Sequence, residues 1–216
     1  LVQTWRIGFS DARIPNNAEV THALSLTDPQ LIELDPLSCT VFLAKEGMKL
    51  DLGCLAKGYI ADKIADYLKS QHVMSALINL GGNIKTIGAN VLANRPWQIG
   101  IQDPRQPRGT NLAVLPICNQ SVVTSGTYER KLQVNEHTYH HILDRKTGYP
   151  VDTQLASITI ISDNSLDGEI WTTRLYGEKP RQLLARVEQE KDIEALIVTT
   201  DNRVYYSSGI SPEFLA

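Results

Sequence analysis

The sequence predicts an α+β fold in which helices pack on a largely antiparallel sheet. Three observations predict it. Runs with strand character outnumber helical ones and often follow one another directly, which favours antiparallel pairing. Turn signals separate them, among them Asp35-Pro36, Gly81-Gly82, Asn135-Glu136 and Asp201-Asn202. Of the 216 residues, 42% are hydrophobic, which suits one domain with a real core.

In chain order, Trp5, Ile7 and Phe9 alternate ahead of Pro15, as in a strand or an extended arm. Asn16-Asn17 is placed to cap a helix running through Leu26, with Ala23 and Leu24 on its inner face. Residues 31–34 and 40–43 read as short strands paired around Asp35-Pro36. A small-residue turn follows at Asp51, then a helix to about residue 71, where Ile60, Ile64, Tyr67 and Leu68 recur at helical spacing. Strands are expected at 76–80, 83–87, 97–101, 112–117 and 121–124, with a polar surface loop at 103–109. Residues 128–134 and 138–143 read as a hairpin across Asn135-Glu136, and 146–150 as a turn. Residues 155–161 form a strand and 165–176 a helix. Pro180 opens a second helix reaching about residue 190. A hairpin, 193–199 and 204–206, closes the chain.

The totals narrow the function classes. A net charge of −3 offers no basic footprint for nucleic acid. No apolar run approaches the roughly 18 residues of a membrane helix. There is no charged-then-apolar leader, and Leu1 is not an initiator methionine, so the chain is expected to have been cut or processed. Cys39, Cys54 and Cys118 are odd in number and scattered, which fits neither a disulfide framework nor a zinc site.

Five stretches offer chemistry. In Asp51-Leu-Gly-Cys-Leu-Ala-Lys-Gly-Tyr59, Gly53 and Gly58 allow close backbone approach, and Lys57 sits where a helix is expected to start. Backbone N–H groups, the helix dipole and an ammonium would converge there on an anion such as phosphate. A plain turn with a solvent-facing lysine is the other reading. Asn79-Leu-Gly-Gly-Asn83 is either a β-turn or a second point of close approach. Thr124, Ser125 and Gly126 follow a strand and can hydrogen-bond phosphate oxygens. No Gly-x-Ser-x-Gly pattern marks Ser125 as a nucleophile. His140 and His141 end a strand and point to opposite faces, so at most one serves a given pocket, as a base or as a structural histidine. Last, Asp167, Glu169 and Thr173 supply hard oxygen donors. Glu169 and Thr173, four apart, would share a helix face and make an Mg²⁺ half-site, while Asp167 could equally cap the helix.

Taken together, these stretches resemble the ApbE family of flavin transferases. The family pattern is similar to D-x-G-x-x-A-K-G-Y-x-x-D, I-N-x-G-G-x-I, T-S-G-x-Y-E-R and H-I-x-D-x-x-T-G-x-P. Here it reads Asp51…Lys57-Gly58-Tyr59…Asp62, then Ile78-Asn79-Leu80-Gly81-Gly82-Asn83-Ile84. Thr124-Ser125-Gly126-Thr127-Tyr128-Glu129-Arg130 follows, then His141-Ile142-Leu143-Asp144…Thr147-Gly148-Tyr149-Pro150. Trp5 to Pro15 resembles the family's lead-in, so the resemblance covers nearly the whole chain. It implies one ApbE-like, tunnelling-fold-like domain over 1–216 that lacks its N-terminal part.

The resemblance also implies a reaction. Such an enzyme binds FAD with Mg²⁺ and attaches FMN to a Thr or Ser hydroxyl of a target protein, releasing AMP. His141 matches the base, and no role carries over to His140, where the family often has serine. Asp51 and Lys57 match FAD contacts, as do Trp5 and Ile142, and Thr124, Ser125 and Gly126 match the loop near the pyrophosphate. Cys54 matches a metal ligand acting through its backbone carbonyl. The family's D-A-x-x-T metal helix is altered here, since Trp171 stands four after Asp167. Either Asp167 keeps its role and the threonine moves to Thr172 or Thr173, or Glu169 replaces the aspartate and pairs with Thr173. FAD hydrolysis to FMN and AMP, or FAD binding without catalysis, are the alternatives at the same site. By resemblance the protein is expected outside the cytoplasm of a bacterium, as a membrane-anchored lipoprotein whose anchor lies beyond this chain.

Overall fold

The structure, a computed structural model, describes every residue except Tyr128, Glu129, Glu136 and Ala216. Its elements run α1 (Val2–Trp5), α2 (Asn17–Leu24), β1 (Ile32–Asp35), β2 (Thr40–Leu43), α3 (Gly53–Ser70), β3 (Ala76–Leu80) and β4 (Asn83–Ile87). Then come β5 (Trp97–Gln102), β6 (Asn111–Ile117), β7 (Ser121–Gly126), β8 (Lys131–Val134) and β9 (His137–His140). The chain ends with β10 (Leu155–Ser162), α4 (Ser165–Leu175), α5 (Pro180–Val187), β11 (Ile193–Thr199) and β12 (Val204–Tyr206). It divides into two compact units: Leu1–Asp51 with Arg130–Asp152, and Leu52–Glu129 with Thr153–Ala216.

The second unit holds the large sheet, in the order β12-β11-β10-β7-β4-β3, with every neighbouring pair antiparallel. The predicted fold class is therefore the observed one. β10 lies in the interior and is buried along almost its whole length, because both faces are covered. On one face the β5–β6 hairpin packs Ile99, Ile101, Leu115 and Ile117 against Val122, Ile161, Leu196 and Val198. Each such side chain contributes about 1.5–3 kcal/mol on full burial. On the other face α4 crosses β7 and β10, and α3 packs Ala61 and Ala65 on Ile78 and Ile87. Val122 and Val123 show the two-residue period: Val122 joins the hairpin core, while Val123 lies under Gly168 of α4. A Cβ on Gly168 would stand 2.6 Å from Val123 Cγ2, so glycine sets how closely this helix can lie.

Two expectations in this unit change. Most of the predicted turn after Asp51 is helix, since α3 begins at Gly53 and Lys57 lies more than a turn inside it. β7 continues through Thr124, Ser125 and Gly126 because β10 pairs with it along that length, Gly126 opposite Ser157. The hydroxyl stretch is therefore a strand end, and Tyr128 and Glu129 of the same motif lie outside the described residues. Gly81 (φ 63°) and Gly82 (φ 95°) are both left-handed and close a two-residue turn between Leu80 and Asn83, a conformation glycine adopts without strain.

The first unit is built from small pieces. The alternation of Trp5, Ile7 and Phe9 does not make a strand. Val2–Trp5 is a short helix ended by Arg6 in the left-handed region (φ 53°). Trp5 is buried instead by tertiary contacts: its Nε1–H donates to Gly148 O at 2.8 Å, and Tyr139 and Tyr149 pack on its ring. Asn16 caps α2 as expected, in a reciprocal box with Glu19. β1 pairs with β2. β8 pairs with β9 in the expected hairpin, Val134 opposite His137, with Asn135 at φ 53° in the connection; Glu136 lies outside the described residues.

Candidate active site

In the second unit, the approach of α3 to α4 determines the chemistry. Gly58 is buried in α3, and a Cβ there would lie 2.6 Å from Ser165 O and 2.8 Å from Leu166 Cα. The two helices touch backbone to side at that point. One turn further along α3, the Asp62 carboxylate accepts N–H bonds from Ser165 (2.8 Å) and Leu166 (2.9 Å), the first residues of α4. Asn164 makes no side-chain cap, so Asp62 caps α4 from the neighbouring helix. Lys85 of β4 is buried, lies 3.8 Å from Asp62 Oδ1 and donates to the Asp163 carbonyl. Burial pushes its ammonium pKa down, against the pull of Asp62.

This anchoring brings together four polar side chains from α3, β4 and α4. Ser165 Oγ donates to Asn83 Oδ1 at 2.6 Å, which turns the amide so that Nδ2 donates to Glu169 Oε1 at 2.9 Å. Lys57 Nζ stands 3.5 Å from the same oxygen. The Glu169 side chain is 6% exposed and that of Lys57 45%, so a buried carboxylate holds a cation whose head still reaches solvent. A buried carboxylate needs such partners to stay charged. The arrangement offers an accessible ammonium to an anionic ligand, restrained in direction by Glu169. Thr124 Oγ1 shares a 2.8 Å hydrogen bond with Thr159 Oγ1; Thr124 and Ser125 are half-buried at the strand end and Gly126 is buried.

The remaining α4 candidates separate. Asp167 is half-buried, and its Oδ2 accepts from Asn164 Nδ2 at 3.0 Å. Thr173 is exposed, whereas Thr172 is buried with its hydroxyl on the Glu169 carbonyl. Glu169 is thus the acidic α4 candidate joined to Lys57 and Asn83. Cys54 is exposed on α3, one turn before Lys57 and on the same side of the helix. Among the described residues no three His, Cys, Asp or Glu side chains group to hold a metal. The donor types nonetheless suit Mg²⁺, which takes only one or two protein carboxylates when phosphates and water complete its shell.

In the first unit, β9 ends at His140, and His141 follows it directly. His141 is half-buried, its Nδ1 3.4 Å from Arg130 O. With Nδ1 as donor to that carbonyl, Nε2 carries the basic lone pair. Ile142 is half-buried beside it and Asp51 is exposed. His140 is buried; its Nε2 meets Val151 O at 2.9 Å and its Nδ1 accepts the Ile142 N–H at 3.3 Å. Burial pushes its pKa below the usual 6.5, against the Val151 hydrogen bond. A lowered folded-state value means His140 contributes stability in full above about 6.5, and that contribution is lost as pH falls through the lowered value. Acidification below 6.5 should therefore lower Tm, and His140→Phe should flatten that limb, as read by melting curves across a pH series.

Reasoning from sequence missed Asn83, Ser165 and the role of Asp62. One signal was available: Asn83 is a polar residue opening a strand directly after Gly81-Gly82.

Comparison with known proteins places this geometry. The ApbE family model matches residues 1–197, which contain all four motifs. A Klebsiella pneumoniae (strain 342) protein named FAD:protein FMN transferase is 47% identical over 208 residues, covering 96% of this chain and 64% of its own length. One of the same name from Treponema pallidum (strain Nichols) is 35% identical over 221 residues, covering 97% and 61%. The chain thus spans just under two thirds of these relatives. The crystal structure of the ApbE protein from Thermotoga maritima superposes with a TM-score of 0.86 at 28% identity, covering all of this chain and 69% of that one. Flavin transferase ApbE from Vibrio cholerae gives 0.81 at 26%, covering 99% and 68%. With the family model matched over most of its length and the fold shared, the chain belongs to the ApbE family.

Proposed function

We propose that this chain carries the machinery of an FAD:protein FMN transferase, moving the FMN half of FAD onto a Thr or Ser hydroxyl of a target protein. The observation that carries this reading is the meeting of Lys57, Asn83 and Glu169 in a family whose named relatives are FMN transferases. The acceptor oxygen attacks the phosphorus next to FMN, and the bond from that phosphorus to the AMP phosphate breaks. His141 accepts the hydroxyl proton, and AMP leaves with the electron pair. Lys57 binds the pyrophosphate and offsets its charge, and Glu169 with Asn83 orients that lysine. Thr124, Ser125 and Gly126 donate to phosphate oxygens. Glu169, the α4 carboxylate beside Lys57, and the Cys54 carbonyl are the groups that would hold Mg²⁺, which would supply charge neutralisation at the pyrophosphate.

The test is to incubate the full-length protein with FAD, Mg²⁺ and an acceptor protein bearing an S/T-G-A-S/T-type segment. The acceptor should gain the mass of one FMN, with AMP released. AMP without labelled acceptor would reassign the site to FAD hydrolysis, and bound FAD with neither product would reduce it to flavin binding.

A further inference from the structure

The turn that carries His141 contains a second imidazole that the transfer reaction leaves without a role. His140 ends β9, His141 follows it directly, and His140 is 8% exposed. Both of its ring nitrogens are engaged. Nδ1 accepts the Ile142 N–H, so Nε2 carries the hydrogen and donates to the Val151 carbonyl. The Ile142 N–H lies in the same rigid peptide plane as the His141 carbonyl. The ring therefore holds the peptide directly after His141.

The rest of the turn is a closed ladder. Val151 N–H donates to Ile142 O at 2.9 Å, Asp144 N–H to Tyr149 O at 2.7 Å, and Gly148 N–H to Asp144 O at 2.7 Å. Leu143 and Pro150 bridge between these, and Trp5 braces the far end through Gly148 O. His140 links the two arms at the open end, where His141 emerges. On the preceding side, the pairing of Lys131 with His140 fixes the strand, and Arg130 O lies at His141 Nδ1. With the backbone held on both sides, the direction of the His141 ring depends on its side-chain torsions.

We propose that His140 is a positioning residue: a buried strut that fixes the His141–Ile142 peptide and thereby aims the His141 imidazole. This rests on the reading of His141 as the base. A strut that works through hydrogen bonds differs from one that only fills space, and substitutions separate the two. Asparagine at 140 puts an amide oxygen near the Nδ1 position and keeps the acceptor for Ile142. Phenylalanine keeps the bulk and offers no acceptor. A displacement of about 1 Å in a reacting group costs about 100-fold, which sets the scale.

The experiment compares wild type, His140→Asn and His140→Phe at pH 8, measuring kcat for transfer, the dissociation constant for FAD, and the His141 ring-proton NMR resonances and titration. His140→Phe should lose about 10- to 100-fold in kcat with FAD affinity within about twofold, and its His141 resonances should shift. His140→Asn should stay within about threefold of wild type, with wild-type His141 resonances. A folded His140→Phe with unchanged kcat and unchanged His141 resonances would overturn the proposal. Should His140→Phe fail to fold, His140→Gln replaces it, since it keeps a donor for Val151 and loses the acceptor for Ile142; wild-type His141 behaviour in that variant is likewise an overturning result. If wild type itself transfers no FMN, the transferase reading fails, and the NMR comparison still decides the role of His140.

Discussion

His141→Ala abolishes FMN transfer while FAD continues to bind. The expected loss is about 10²- to 10⁴-fold in kcat, the usual contribution of a positioned general base. A Thr or Ser hydroxyl is a poor nucleophile until its proton is removed. In the proposed reaction that step falls to His141. It is half-buried directly after β9, with Nδ1 3.4 Å from Arg130 O. FAD affinity should hold within about twofold, because the proposed pyrophosphate contact is Lys57 rather than the imidazole. Isothermal titration with FAD and the mass of the acceptor protein read the two quantities separately. Transfer at the wild-type rate would remove His141 as base. A parallel loss of FAD affinity would make it a binding group.

Much of the fold was legible because it depends on local signals. The Asn16 cap, the Pro180 helix start and the glycine pair at 81–82 each act within a few residues. The antiparallel sheet follows from consecutive strands. What was not legible depends on partners far along the chain. Trp5 reads as part of a strand by alternation, yet its conformation answers to Gly148, 143 residues away. Asp62 looks like one more solvated helix charge until α4 arrives 103 residues later to receive it as a cap. Asn83 takes its meaning from Glu169, 86 residues on. The spacing of Lys57 and Glu169 within their motifs was readable from the chain, but their wiring came from packing. So did the choice among the α4 donors: side-chain spacing put Glu169 and Thr173 on one face, whereas the sheet beneath α4 buries Glu169 and leaves Thr173 exposed.

Gly58 is where fold and site meet, and changing it should damage both. Its position in the middle of α3 is unfavourable by helix propensity: alanine there would favour the helix by about 1 kcal/mol. The packing opposes that gain. The new Cβ would meet Ser165 O at 2.6 Å and both Ser165 C and Leu166 Cα at 2.8 Å. All three atoms are backbone, so no side chain can swing aside, and α4 itself must move. Overpacking of this kind costs about 1–3 kcal/mol or more, which outweighs the propensity gain. Gly58→Ala should therefore be net destabilising despite being the better helix former, and Gly58→Val, larger and β-branched, more so, read as a lower urea midpoint. Moving α4 away also pulls Ser165 and Leu166 off Asp62, Ser165 off Asn83, and Glu169 off Lys57. The loss should accordingly appear as weakened FAD binding in whatever Gly58→Ala remains folded, whereas a simple loss of stability would leave that fraction binding normally. A Gly58→Ala protein as stable as wild type would mean that α3 and α4 are not held at backbone contact, and the placement of Lys57 by Glu169 would fall with it.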